Sequence, residues 1–209
     1  IRQLAVDVVR PRYLSPEQIN QILRTWDVRR ATNRGGGFTA SRNRNLTLLM
    51  YDTMIRPGEA IGLTLDDVTF RAKTGGALCI RRAKDRQERH VPIHPDVARS
   101  LHDYFHRWRR PLPGPYFFCQ QDGAPLSIDR LSRLYYSVSR KVGYRVTAYM
   151  FRHSGATGYC RRGGSIEILQ DIMGHSDIRI TRRYVHTEED RMAEQHPACS
   201  AVNLLRGGT

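Results

Sequence analysis

Ile19, Ile22 and Leu23 fall at helical spacing directly after Ser15-Pro16-Glu17-Gln18. That pattern predicts a helix with Ser15 as its cap, Pro16 in its first turn and Gln18 completing a capping box. Residues 33–37, Asn-Arg-Gly-Gly-Gly, read as a flexible loop, because glycine loses more backbone freedom on folding than any other residue. Beyond them Leu46, Leu48, Leu49, Met50 and Met54 mark a well-buried helix, and a short helix over 58–63 follows a break at Arg56-Pro57. The period then changes to two. Residues 68–70, 77–81 and 90–93 form short β-like runs, joined by turn-like links at 73–76 and 83–88, which predicts a three-stranded antiparallel sheet.

From Pro95 onward the apolar positions return to spacings of three and four. Helices are expected over 96–108 and 127–142, separated by Pro111-Leu112-Pro113-Gly114-Pro115. Further helices are expected over 147–162, closed by Gly163-Gly164, and over 165–173, closed by Gly174, with a last long helix starting at Ser176. The predicted class is α+β: mainly helical, with one small three-stranded antiparallel sheet. Neither a repeat nor a linker divides the chain, so one domain is expected, with a tail from about Pro197.

Composition narrows the function. The 209 residues carry 34 Lys+Arg against 20 Asp+Glu, a formal charge of +14, and the sequence pI is near 10.3. With 40% apolar and 9% aromatic residues the chain can bury a core, which argues against disorder. No run of about 18 apolar residues predicts a membrane span, and the first ten residues lack the pattern of a signal peptide. A soluble, cytoplasmic, nucleoid-associated protein with no membrane partner is expected. The surplus positive charge points to a polyanion such as double-stranded DNA, the plainer alternative being a cationic surface with no specific partner. Cys79, Cys119, Cys160 and Cys199 form no C-x-x-C pair, so reduced thiols are the natural reading. His102 and His106 could share a helix face, but no H-E-x-x-H accompanies them, and no metal is expected.

The chemistry-bearing residues form an ordered set: Arg56 with Glu59, Lys84 in the second hairpin link, Arg152-His153, Gly174-His175-Ser176, and Tyr184 nine residues after His175. Singly, each has an ordinary explanation, such as a surface ion pair for Arg56 and Glu59. Together they suit phosphate chemistry. Two arginines offer planar forks that bind phosphate bidentately and keep their charge. No G-x-x-x-x-G-K-[ST] loop and no acidic triad for magnesium accompany them.

In this order the set resembles the catalytic domain of the tyrosine recombinases, the phage integrase and Xer family. The resemblance runs from about residue 11 to residue 194 and rests on Arg56-Pro57-Gly58-Glu59, on Lys84 followed by Glu88-Arg89-His90-Val91-Pro92-Ile93, on Arg152-His153, on Met173-Gly174-His175-Ser176, and on Tyr184. It implies that Tyr184 attacks the scissile phosphorus to give a 3′-phosphotyrosine. By the same resemblance Lys84 protonates the departing 5′ oxygen, His175 hydrogen-bonds the phosphate, and Glu59 and His153 are supporting residues. The reaction it implies is site-specific recombination or integration, without metal, ATP or other cofactor, by a homo-oligomer, a tetramer on two DNA sites. Type IB topoisomerase-like relaxation and a non-catalytic DNA-binding relative are the alternatives. One departure stands out, since the family's histidine three residues before the second arginine is Tyr149 here. Tyr149 would then serve as a hydrogen-bond donor to phosphate, or only as a packing residue. Residues 1–10 are expected to be the remnant of a linker from a missing N-terminal DNA-binding domain, 11–196 the catalytic domain and 197–209 the C-terminal tail. Arg42, Arg44, Arg130 and Arg133 are the candidate DNA contacts, against solvated face charges as the alternative.

Overall fold

The computed structural model describes residues 13–27, 34–71, 75–81 and 88–184. Helix α1 (Pro16–Arg24) starts at the expected capping box, with Ser15 Oγ accepting from the Gln18 amide and Ser15 N donating to Gln18 Oε1 at 2.9 Å. Its buried residues are Ile19, Ile22 and Leu23. The central helix, α2 (Arg34–Thr53), buries Leu46, Leu49 and Met50 completely.

The start of α2 corrects the expected loop at 33–37, because residues 34–37 are helical. Tertiary packing overrides the glycines' low helix propensity. A Cβ on Gly37 would lie 2.7 Å from the Trp108 ring, and one on Gly35 would lie 2.9 Å from Gln121 Nε2, which donates to the Gly35 carbonyl. The bare backbone lets α2 lie against both side chains.

Met54 ends α2 in the left-handed region, at φ 53°. Helix α3 (Pro57–Gly62) follows, and then an antiparallel sheet of β1 (Val68–Arg71), β2 (Gly75–Arg81) and β3 (Glu88–Ile93) in that order. Register places Cys79 opposite His90 and Arg81 opposite Glu88. Leu78, Ile80 and Val91 point into the core. The two links, including Lys84, lie outside the described residues.

Helix α4 (Pro95–Tyr104) runs into a π-helical turn, Phe105–Arg109. Buried Arg109 donates to the carbonyls of Leu112, Gly114 and Tyr116, which fastens the proline-rich link. Helix α5 (Ile128–Val142) is capped by Ser127 and ends at the left-handed Gly143. Helix α6 (Ala148–Arg161) crosses α2 so closely that a Cβ on Gly155 would meet the Tyr51 carbonyl oxygen at 2.1 Å.

Helix α7 (Ile166–Met173) ends at Gly174, φ 64°. The last described helix, α8 (Ile178–Arg182), corrects the expected start at Ser176, since Asp177 is the cap and its side chain accepts from the Arg179 amide. Any continuation into a long helix lies beyond residue 184, outside the described residues. The main core joins α1, α2, the sheet, α4, α5 and Phe151 of α6. A smaller cluster of Met54, Ala156, Cys160, Leu169, Met173 and Tyr184 holds the α6, α7 and α8 corner together. None of Cys79, Cys119 and Cys160 is in a disulfide, and among the described residues no helix is long and apolar enough to cross a membrane.

Candidate active site

Arg152 forms the floor of the site. It projects from α6 and is only 3% exposed. Nη1 donates to the Met54 carbonyl at 2.5 Å, and Nη2 donates to the Met173 carbonyl at 3.0 Å. Nη2 also lies 2.9 Å from His175 Nε2. A guanidinium has only donors, so Nε2 accepts here, and the ring proton sits on Nδ1, 2.9 Å from Thr181 Oγ1. Burial, followed by the charges of Arg152 and Arg56, pushes His175 down to about 4, so the ring is neutral at pH 7. Burial and the charge of Arg56 likewise bring Arg152 down to about 10, which leaves it charged.

Arg56 caps the opening, with its side chain 41% exposed. It donates to Glu59 Oε1 at 3.1 Å and to the Gly174 carbonyl at 3.2 Å. Glu59 also takes both terminal nitrogens of Arg89, at 3.1 and 2.7 Å, while Arg89 Nε donates to the Ile172 carbonyl at 3.0 Å. Burial alone would raise the Glu59 carboxyl, but the hydrogen bonds from Arg89 and the Arg56 amide, with both guanidinium charges, hold it below its ordinary value. A single carboxylate therefore aligns two arginines.

Tyr184 follows α8 with only 2% of its surface exposed, its ring inside the smaller core cluster. Its hydroxyl lies 2.6 Å from His153 Nδ1. Burial raises the phenol, whereas burial and the Arg152 and Arg183 charges lower His153. The phenol is thus the donor and the neutral imidazole the acceptor. Tyr149 is 55% exposed, its ring centroid 6.5 Å from that of His153, so it is no core packing residue. It shares with Arg56, Ile128 and Tyr136 the lining of an open cavity of about 880 Å³.

The family model for phage integrases matches residues 12–191. The chain belongs to the phage integrase family. This phage integrase domain is 29% identical to tyrosine recombinase XerA of Pyrococcus furiosus over 170 residues, 80% of this chain and 58% of that protein. It is 33% identical to the putative integrase/recombinase y4rF of Sinorhizobium fredii over 178 residues, 80% of this chain and 41% of that protein. The chain spans about half the length of the curated relatives it matches. Among solved structures, XerH site-specific recombinase bound to its difH substrate, a pre-cleavage complex, aligns with TM-score 0.72 at 25% identity, over 89% of this chain and 53% of that one. XerA recombinase aligns with TM-score 0.71 at 21% identity, over 91% and 65%. The expected mainly helical fold with one small antiparallel sheet is the fold of these phage integrase relatives.

Within this phage integrase domain, Arg56, Glu59, Arg152, His153, His175 and Tyr184 come together at one corner, with Tyr149 at its rim. Lys84 lies outside the described residues. The candidate DNA contacts divide. Arg42 is corrected to an interior residue: at 9% exposure its guanidinium donates to the Cys119 carbonyl at 3.0 Å and to Asn43 Oδ1 at 2.9 and 3.1 Å. Arg44 is half-buried and donates to the Leu23 carbonyl at 3.3 Å. Arg130, hydrogen-bonded to the Gln120 side chain, and Arg133 are exposed. Sequence reading missed Arg89 as a site residue and missed Thr181 altogether. The signal for Arg89 was its place in the strand beside Val91-Pro92, whereas nothing in the sequence marks a threonine as the partner of His175.

Proposed function

We propose that this chain is the catalytic domain of a site-specific tyrosine recombinase or integrase, which cleaves and rejoins double-stranded DNA through a 3′-phosphotyrosine on Tyr184, with no metal or ATP. The observation that carries the reading is the convergence of Arg56, Arg152 and His175, within hydrogen-bond reach of one another or of the adjoining carbonyls of Met173 and Gly174, beside a tyrosine already bonded to a histidine. A phosphate seated there meets two guanidinium forks. Its charge raises His175 and adds a proton at Nε2, turning that atom from acceptor to donor. His153 takes the Tyr184 proton at Nδ1, the phenolate oxygen bonds to phosphorus, and Lys84 protonates the departing 5′ oxygen. Because the new link is itself a phosphodiester, a 5′ hydroxyl of another strand reverses the step. The XerH structures are of a recombinase bound to its DNA substrate before and after cleavage, which supports DNA as the partner here. By the same resemblance the working unit is a tetramer on two DNA sites, with residues 1–10 a linker, 11–196 the catalytic domain and 197–209 a tail outside the described residues.

The decisive experiment uses a duplex nicked beside the scissile phosphate, so that the cleaved fragment diffuses away and covalent protein accumulates. The wild-type chain should form a denaturation-resistant adduct. Tyr184→Phe should form none while its DNA affinity stays nearly unchanged, one hydroxyl being lost among many phosphate contacts. An adduct with the phenylalanine variant would assign the nucleophile elsewhere.

A further inference from the structure

The outward face of the β2–β3 hairpin brings three different metal-ligand types together on facing strands. Cys79 and His90 are direct cross-strand partners, and Glu88 stands two residues before His90, so all three side chains leave the sheet on the same side. Their donor atoms lie within 4.8 Å of one another, and Cys79 Sγ is 3.5 Å from Glu88 Oε2. A tetrahedral zinc ion, with sulfur at about 2.3 Å and carboxylate oxygen at about 2.0 Å, separates those two atoms by about 3.5 Å. One edge of the coordination tetrahedron is therefore already set.

We propose that Cys79, Glu88 and His90 form a binding site for a divalent transition-metal ion of the zinc class, with a fourth position open to solvent. A thiolate, an imidazole and a carboxylate suit a borderline ion and not magnesium or calcium, which select oxygen ligands. The surroundings fit as well. Glu88 Oε1 is 3.3 Å from Arg81 Nε, and Arg81 Nη1 is 3.0 Å from Asp67 Oδ1, so the carboxylate is steadied through one oxygen while the other faces Cys79. The Cys79 thiolate and the Asp67 and Glu88 carboxylates, against the Arg81 guanidinium, leave two negative charges to match a divalent cation. Binding releases the thiol proton to solvent and ties β2 to β3 at the base of the link that carries Lys84. The three ligands leave the face of the sheet opposite to that of Arg89, which turns to Glu59, and the proposal does not depend on the recombinase reading.

Cobalt(II) titration of the full, reduced chain in a phosphine reductant tests the site. A single Co²⁺ should bind, giving a thiolate-to-cobalt absorption band in the near ultraviolet and tetrahedral visible bands, and Zn²⁺ should displace it. Cys79→Ser should abolish the thiolate band, and His90→Gln and Glu88→Gln should each weaken Co²⁺ binding by about tenfold or more. All three side chains are at the surface or half-buried, so the metal-free variants should melt as the wild type does; His90→Asn is a second probe should His90→Gln melt lower. Cys199→Ser and His102→Ala should leave the titration unchanged. A missing thiolate band, a band that survives Cys79→Ser, or affinity indifferent to both His90 variants overturns the proposal.

Discussion

Arg152 reaches the floor of the site through a backbone concession at Met54. A left-handed conformation costs an L-residue about 1–2 kcal/mol, and here it turns the Met54 carbonyl toward Arg152 Nη1. The Met54 side chain, packed beside Tyr184, offsets that cost. At the same scale, the proposed mechanism assigns the proton acceptor to His153, because Tyr149 is a phenol and lies at the rim while His153 already holds the Tyr184 hydroxyl at 2.6 Å. His153→Ala should therefore slow adduct formation by about 100-fold or more, the usual scale for losing a general base. Since burial and neighbouring charges lower His153, the wild-type rate should decline only when the pH drops below the ordinary histidine value of 6.5, and the alanine variant should lack that decline. A stopped-quench pH series on the nicked duplex measures both.

At the level of elements, Glu59 and Arg89 join α3, β3 and the end of α7 into one support for Arg56. Arg89→Met leaves Glu59 with Arg56 alone and should cost about 1–3 kcal/mol, as for a lost hydrogen bond to a charged group, visible in chemical denaturation. Cleavage should fall while DNA affinity changes little, because Arg56 loses orientation and not charge. Helix α2 and helix α5 make opposite uses of arginine. Arg133→Ala on α5 should reduce the salt dependence of DNA binding, lowering the slope of log K against log salt by about one. Arg42→Met should leave that slope alone and reduce the melting temperature, since its guanidinium holds the Cys119 carbonyl. The helices and strands were legible where an apolar period or a cap fixes them, as at Ser15, Ser127 and the β2–β3 pair. They were not legible where a distant residue decides. Trp108 and Gln121 turn a glycine run into helix, and burial under Phe38 and Cys119 converts Arg42 from a surface candidate into an interior one. The site was readable as an ordered motif, but the Arg89–Glu59 link and the Thr181–His175 bond join residues 30 and 6 positions apart through contacts that no local pattern encodes.

Over the whole molecule the formal charge is +14, and several of the cations converge on His175. Arg56, Arg89, Arg152 and Arg183 all act on His175, with Glu59 as the carboxylate between the first two, so the free site is a region of cations awaiting an anion. That arrangement has a consequence for stability without DNA. The folded protein holds His175 at about 4, whereas the unfolded chain returns it to 6.5. Between those values the unfolded state binds the extra proton, so stability increases with pH and is lost as pH falls. His153, also lowered, adds in the same direction. The melting temperature of the DNA-free protein should accordingly be flat from pH 7.5 to about 6.5 and should decline from there toward pH 4, within the window that the two His175 values define. His175→Gln retains an acceptor for Arg152 but cannot titrate, and should flatten most of that decline, leaving the share of His153. A wild-type melting curve independent of pH over the same window would mean that His175 is not held neutral by its arginines. Phosphate-bearing DNA should reverse the trend, because the anion raises His175 and the protonated ring then stabilises the complex, so the stabilisation by DNA should grow as the pH is lowered through the same range.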